Sequence, residues 1–576
     1  MADHLQFPVP SHSRLAIFTR VVLLPLALSL GGVAALGSYC ETSDDTTLAW
    51  LFAGILALKP VPALPLYLHC YGHLLAAAYA AAPGVPWLGL LLSGLLGAAT
   101  VLAFAVLDRL LRPYLRPLPL TLALGAFFEL AWVEHWLWFS HARVALLLAG
   151  AAVLYAAQRP GRGGALLLGL AGLGAAWLLR PNLAVLGFGA VLPAALLLAG
   201  RPRRAVPLLL SAALLLALAT GTAALLRPPA AAQVQVHDGY FARILDFDQL
   251  CPRPRTTADS LGTAAISLWL LGDARVVSED LIRRAYYFDA PDFFGRVVPA
   301  KLWLRAGLLL RDYFPMLLAL VATTVVVVRR RIPKTWYWLV QLGFIGLLIV
   351  FASALKLPPR LALPLLDFWL LTNLAFWLRA GPTVRLPPVQ TMPGAGTARL
   401  FSPVSRGLAI AIALAVGLAY GAKTWHRRLV LGQERSRHEQ ALAEICRRTG
   451  GAVRVLAGTN DLLKSLSPFR VYPAGAGPVL LLTGWPAHDP SQLALRQQLA
   501  GTTDQTTCLR RLAAPDRNTR WLLSTQTACW LNRRFRYQPG PGLVVRLVPG
   551  AALEADTTLR FYCPASEENY LAAGPR

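Results

Sequence analysis

The chain has 576 residues, 56% hydrophobic and 15% charged, with a mean hydropathy of +0.51. A soluble protein of this length carries about 25% charged residues, so the deficit excludes an ordinary soluble enzyme and points to a chain that faces lipid. The formal charge of +26 follows from Lys and Arg gathered in short cytoplasmic loops, and no basic-aromatic interleaving argues for nucleic acid as a partner.

Taken in chain order, the first apolar run, AIFTRVVLLPLALSLGGVAALG, lacks a small-residue cleavage site and reads as a retained helix. Further runs bring the spanning segments to about eleven, near 15–37, 85–108, 117–134, 142–157, 164–180, 183–200, 205–226, 307–328, 335–353, 361–378 and 406–421. The stretch 62–82 carries Pro, two His and a Cys and reads as an interfacial helix rather than a span. With the amino terminus cytoplasmic, alternate loops hold Arg109, Arg112 and Arg116, then Arg159 and Arg162, then Arg201, Arg203 and Arg204. Two later ones hold Arg329 to Arg331 with Lys334, and Arg379, Arg385, Arg399 and Arg406. The opposite short loops are poorer in positive charge, as the positive-inside rule requires.

Three parts then lie outside: 38–84, 227–305 and a tail, 422–576. The tail opens with a charged helix and continues with the β-like runs PVLLLTGW, GLVVRLV and TLRFYC, so it reads as a small mixed α/β domain. The Pro/Gly-rich stretch 380–405 is a cytoplasmic linker. All seven cysteines fall in the external parts, which fits an oxidising face. The expected fold is an α-helical polytopic membrane protein: a transmembrane body over 1–421 and an external soluble domain over 422–576.

Candidate chemistry sits at the outer boundary. In SYCETSDDTTLAWLFAG, Glu41, Asp44 and Asp45 precede an apolar stretch. Asp there caps a helix start, or, with its pKa lifted beside lipid, takes a proton from a hydroxyl. On the same side lie Arg180, in WLLRPNLAV, and Lys356 and Arg360, in ALKLPPRLALP. These cations either snorkel to the interface or neutralise a departing phosphate. The turn ELAWVEHWLWFSHAR forms an aromatic belt. It also makes Glu134 and His135, with Glu41 or with the Asp pair, candidates for binding an acceptor or a divalent metal ion, although no ligand spacing specifies one. His69 and His73 stand one helical turn apart on the interfacial helix.

An amino-terminal span, an acidic pair (SDD) in the first external loop, about eleven spans, the RPN at Arg180 and the KLPPRLALP segment together resemble the GT-C superfamily of integral-membrane glycosyltransferases. The resemblance covers 15–421. It implies an enzyme of a bacterial inner membrane, its tail periplasmic, moving a sugar from a polyprenyl-phosphate donor to a glycan, lipid or protein acceptor at the external face. Carried onto this chain, Asp44 is the general base and Asp45 orients it or binds metal. Arg180, Lys356 and Arg360 hold the donor phosphate, and one displacement inverts the anomeric centre. Some relatives use a divalent cation and others none.

A lipid-linked-sugar transporter or a non-catalytic cell-envelope assembly protein is the alternative reading. A transporter is expected to carry inverted repeats and polar groups near the midplane, and the sequence displays neither.

Overall fold

A computed structural model describes residues 13–329, 334–379, 403–472, 475–514, 516–537 and 545–566. The expected linker 380–405 falls outside the described residues but for its last three. Helices cover each of the apolar runs, and eight of the described helices are long and apolar enough to cross a membrane. Two more, His141–Ala157 and Gly163–Leu179, are apolar but shorter. Proline opens several of them, at Pro117, Pro181, Pro202 and Pro359, where its fixed φ suits the first turn and its missing N–H costs nothing.

The last apolar run and the charged tail segment form one helix, Pro403–Thr449, about 70 Å long at 1.5 Å per residue. The boundary at 421 therefore falls inside an element. Glu134 fixes this helix to the body, accepting from Tyr420 at 2.8 Å, Lys423 at 2.7 Å and Arg427 at 2.8 Å. Arg427 also reaches Asp312 at 3.2 Å.

Polar groups do occur deep in the bundle, against the sequence expectation. Gln341 donates to Asn373 at 2.8 Å, and Asn373 to Thr323 at 3.2 Å. The groups satisfy one another across three helices, the arrangement that holds apolar helices together in lipid.

The 62–82 stretch is helical only over Tyr71–Ala81. Pro62 and Pro65 keep the residues before it irregular, and His69 and His73 do not share a helix.

The short strands β1, Tyr39–Cys40, and β2, Trp138–Phe139, pair in parallel and tie the acidic loop to the end of the Pro117–Leu137 helix. Strands β3, Cys251–Pro252, and β4, Tyr286–Tyr287, pair antiparallel within the 227–305 segment. The tail holds β5 (Val453–Ala457), β6 (Val479–Leu481), β7 (Thr519–Ser524), β8 (Val545–Ala552) and β9 (Leu559–Ser566), in the order β6-β5-β7-β9-β8. The first three are mutually parallel, and β9 and β8 run antiparallel.

Side-chain alternation splits this sheet between two cores. Leu456, Leu481 and Leu522 belong to the cluster continuous with the helical body. Val455, Leu480, Trp521 and Leu523 pack on the other side with Leu261, Ile266 and Leu281 from the 227–305 segment. That segment thus covers one face of the tail sheet, so the two expected external parts, 227–305 and 422–576, share a core. Further bonds bring the first loop to the same end: Cys40 N–H donates to Leu466 at 2.8 Å and Trp50 Nε1 to Tyr472 at 3.2 Å. Gly89 lets the tail approach, since a Cβ there would meet the Pro468 carbonyl at 1.9 Å.

A basic end lies elsewhere on the bundle. Burial, with the charges of Arg109, Arg162 and Arg112, lowers the Arg159 guanidinium to about 10, which places four of the expected cytoplasmic arginines together.

Candidate active site

Thr42 precedes the helix Ser43–Phe52, whose first turn holds Asp44 and Asp45. Adjacent residues in a helical turn point about 100° apart, so the two carboxylates meet different neighbours. Asp45 is buried and its Oδ1 accepts twice from His141, from the backbone N–H at 2.9 Å and from Nδ1 at 2.8 Å. Arg180 Nη1 donates to the far ring nitrogen, Nε2, at 2.7 Å. The ring of His141 thus links Asp45 to Arg180 through its two nitrogens, Nε2 accepting from a guanidinium that can only donate.

Asp44 faces a more open space. Its Oδ1 accepts from Trp485 Nε1 of the tail at 3.0 Å, and its Oδ2 from Thr42 Oγ1 at 3.2 Å. Burial opposes its charge, but Arg360, His141, the Trp485 N–H and Arg180 together outweigh burial and hold its pKa below the ordinary carboxylate value. The lifted pKa expected for a carboxylate beside lipid is therefore overturned: the neighbouring cations win over desolvation.

Tyr67 joins these parts. It stacks on His141 at 5.5 Å, meets Trp485 edge-on at 5.6 Å and lies 5.2 Å beneath the Arg180 guanidinium. Burial and then the Asp44 charge push its phenol well above the usual range, so it stays neutral. Asp238, on the helix Pro229–Phe241, lies within the field of Arg180 and Asp44. Burial raises its pKa, against the pull of Arg180.

The expected cations divide. Arg180 caps the start of Pro181–Leu198, with its backbone extended (φ −156°, ψ 98°). Arg360 shares the Asp44 site, its N–H donating to Glu41 Oε1 at 3.1 Å. Glu41 also holds Arg143 at 2.7 Å. Lys356 instead pairs with Asp246 at 2.5 Å and stands one remove away.

The proposed gathering of Glu134 and His135 with the Asp pair is not formed. Glu134 is committed to Tyr420, Lys423 and Arg427, and His135 Nε2 sits 2.7 Å from Asp367. The helix runs on to Leu137 and turns both side chains into the bundle, rather than leaving them in an external turn. Among the described residues no three His, Cys, Asp or Glu side chains converge as a cation site needs. The residues present do not fit a resident divalent ion, and no step is derived through one.

Tyr67, Trp485 and Asp238 were not singled out from the sequence as partners of the Asp pair. One signal existed for Trp485. It follows the parallel strand β6 in the run TGWPAHDP, and loops at the carboxyl ends of parallel strands are where such sheets build sites.

What the arrangement can do follows from its charges. A half-buried carboxylate with a lowered pKa lies in the field of the Arg180 and Arg360 guanidinium groups. One can accept a proton, and the others can neutralise an anion. Compared with protein-family models, curated proteins and solved structures, the chain matches none.

Proposed function

We propose that the chain is an integral-membrane glycosyltransferase moving a sugar from a polyprenyl-phosphate donor to an acceptor hydroxyl at the external face of a bacterial inner membrane, with about eleven spans and a periplasmic tail. One observation carries the reading: the pKa of Asp44 is held down by Arg360 and Arg180, which stand at the starts of the Pro359–Arg379 and Pro181–Leu198 helices.

An apolar groove supports a donor anchored in lipid. It measures about 470 Å³ and runs between Pro181–Leu198 and Lys334–Ser353, from Val185 and Leu347 to Pro193 and Trp336. Val185 lies four residues from Pro181, about 6 Å along the helix axis, so a chain in the groove delivers its phosphate beside Arg180.

In the reaction the acceptor oxygen attacks the anomeric carbon from the side opposite the phosphate. The new C–O bond forms as the bond to the phosphate oxygen breaks, and the anomeric centre inverts. Asp44 takes the acceptor proton. A carboxylate below its ordinary pKa is a weak base, so it takes the proton late, when bond formation has made the acceptor oxygen acidic. The lipid phosphate leaves with the bonding electron pair, and Arg180 and Arg360 neutralise the added charge. Asp45 acts through His141, fixing the tautomer that accepts from Arg180.

Deleting the protein is expected to remove one sugar from the envelope glycans, and restoring the wild-type chain to return it. An unchanged glycan profile would contradict the transferase reading.

A further inference from the structure

A second hollow, of about 410 Å³, opens beside the site, away from the groove that accounts for the donor. Val61, Leu64 and His69 form one side of it, Ala223 to Ala231 another, and Asp489 and Ser491 of the tail close the third. Its mouth is at the end of the apolar helix Pro202–Leu225. Leu225 and Leu226 there are 88% and 77% exposed, and paired leucines this bare at the end of a spanning helix belong in lipid.

The polar groups inside are unequal in charge. Arg227 donates to the neutral Gln235 amide and makes no ion pair among the described residues. His69 stacks on Trp177 at 5.4 Å; burial and then Arg227 lower its pKa, so its imidazole is neutral near pH 7. Asp489 is turned to its own helix, accepting from the Ser491 N–H at 2.9 Å, and burial raises its pKa. A fixed cation therefore stands at headgroup height above an apolar mouth. Leu64, Pro65 and Asp489 also line a second, small cleft of about 10 Å³ whose far side is Tyr67 and Trp485, and Trp485 touches Asp44.

We infer that this hollow seats an anionic membrane lipid, its phosphate on Arg227 and its hydrocarbon passing Ala223 and Leu226. On the transferase reading, which this second step rests on, a hydroxyl of that lipid's headgroup is the sugar acceptor. Donor and acceptor then reach Asp44 from two lateral openings on different helices, and neither hydrocarbon chain displaces the other.

The test places a photo-crosslinking side chain at Ala231, or at Ala63 on the facing side, in the full chain. The chain is reconstituted in phosphatidylcholine vesicles holding a minor share of phosphatidylglycerol. A crosslinker at the lipid-facing Leu210, 65% exposed on the same helix, reports the bulk composition. Phosphatidylglycerol adducts at the hollow are expected to exceed the bulk ratio about fivefold, the factor for one basic residue near an anionic headgroup. Arg227→Gln is expected to return them to it. Adducts at the bulk ratio from both positions, or none, would overturn the lipid seat. In membranes from the source cells, labelled sugar from the donor is expected in an organic-phase product that, unlike the polyprenyl-phosphate donor, survives mild acid, and recovery in water-soluble product alone would overturn the lipid as acceptor. If no labelled sugar is transferred at all, the transferase reading falls and the acceptor role with it, while the adduct ratio decides the lipid seat separately.

Discussion

At Asp44 two demands conflict. A base must be ionised at working pH, yet a carboxylate partly out of water resists ionisation. Here Arg360 and Arg180 settle the conflict, and the tail contributes the Trp485 N–H. The sign for pH follows. Asp44 has a depressed pKa, so its ionised form, the one the proposed reaction needs, persists into acid and is lost only as pH falls through that lowered value. The stability it contributes has the same window: present above the ordinary carboxylate pKa, lost below the depressed one. Replacing Trp485 by Phe keeps the ring and removes the donor. A hydrogen bond to a charged group is worth about 1.5–3 kcal/mol, so the acid limb of the pH-rate profile is expected to move up by about one to two units. An unmoved limb with intact folding would separate Trp485 from the base. The acidic pair and Arg180 were legible in the sequence because few charges occur in so apolar a chain. Their partners Tyr67 and Trp485, 418 residues apart in number, were not, because only the docking of the tail brings them together.

The elements were legible in proportion to their apolar length. Runs of about 20 apolar residues have few stable conformations besides a helix in lipid, and each became one. The stretch 62–82 was legible only in part, because its prolines interrupt a pattern that composition alone does not resolve. The joining of the last span to the tail helix was also hidden, since hydropathy falls at 421 while helical hydrogen bonding continues. Glu134 is what that join depends on. It is buried and satisfies two cations and a phenol on the long helix. Glu134→Gln leaves Lys423 without its carboxylate and Arg427 with Asp312 alone, and breaking a buried pair from one side costs on the order of 3 kcal/mol. The thermal unfolding midpoint of the purified protein is expected to drop accordingly. A midpoint within error of wild type would mean that the helix is held by its apolar contacts alone.

Across the whole molecule, the tail sheet is the central layer between the helical body and the 227–305 segment. Its strands alternate between two apolar faces, as a sheet buried on both sides must. That packing brings the first loop, the long loop and the tail to one end and completes the Asp44 cleft from three distant stretches. The side of the membrane can be tested directly, because Cys70, Cys529 and Cys563 are exposed and unpaired. In intact spheroplasts a membrane-impermeant thiol reagent is expected to label them. Protection of all three until the membrane is opened would invert the topology and remove the external donor from reach. The central claim is narrower and rests on one oxygen pair. A deletion strain producing Asp44→Asn at the wild-type level is expected to lack the same envelope sugar as the deletion itself. Full restoration of that sugar by the Asn variant would contradict the assignment of Asp44 as the base.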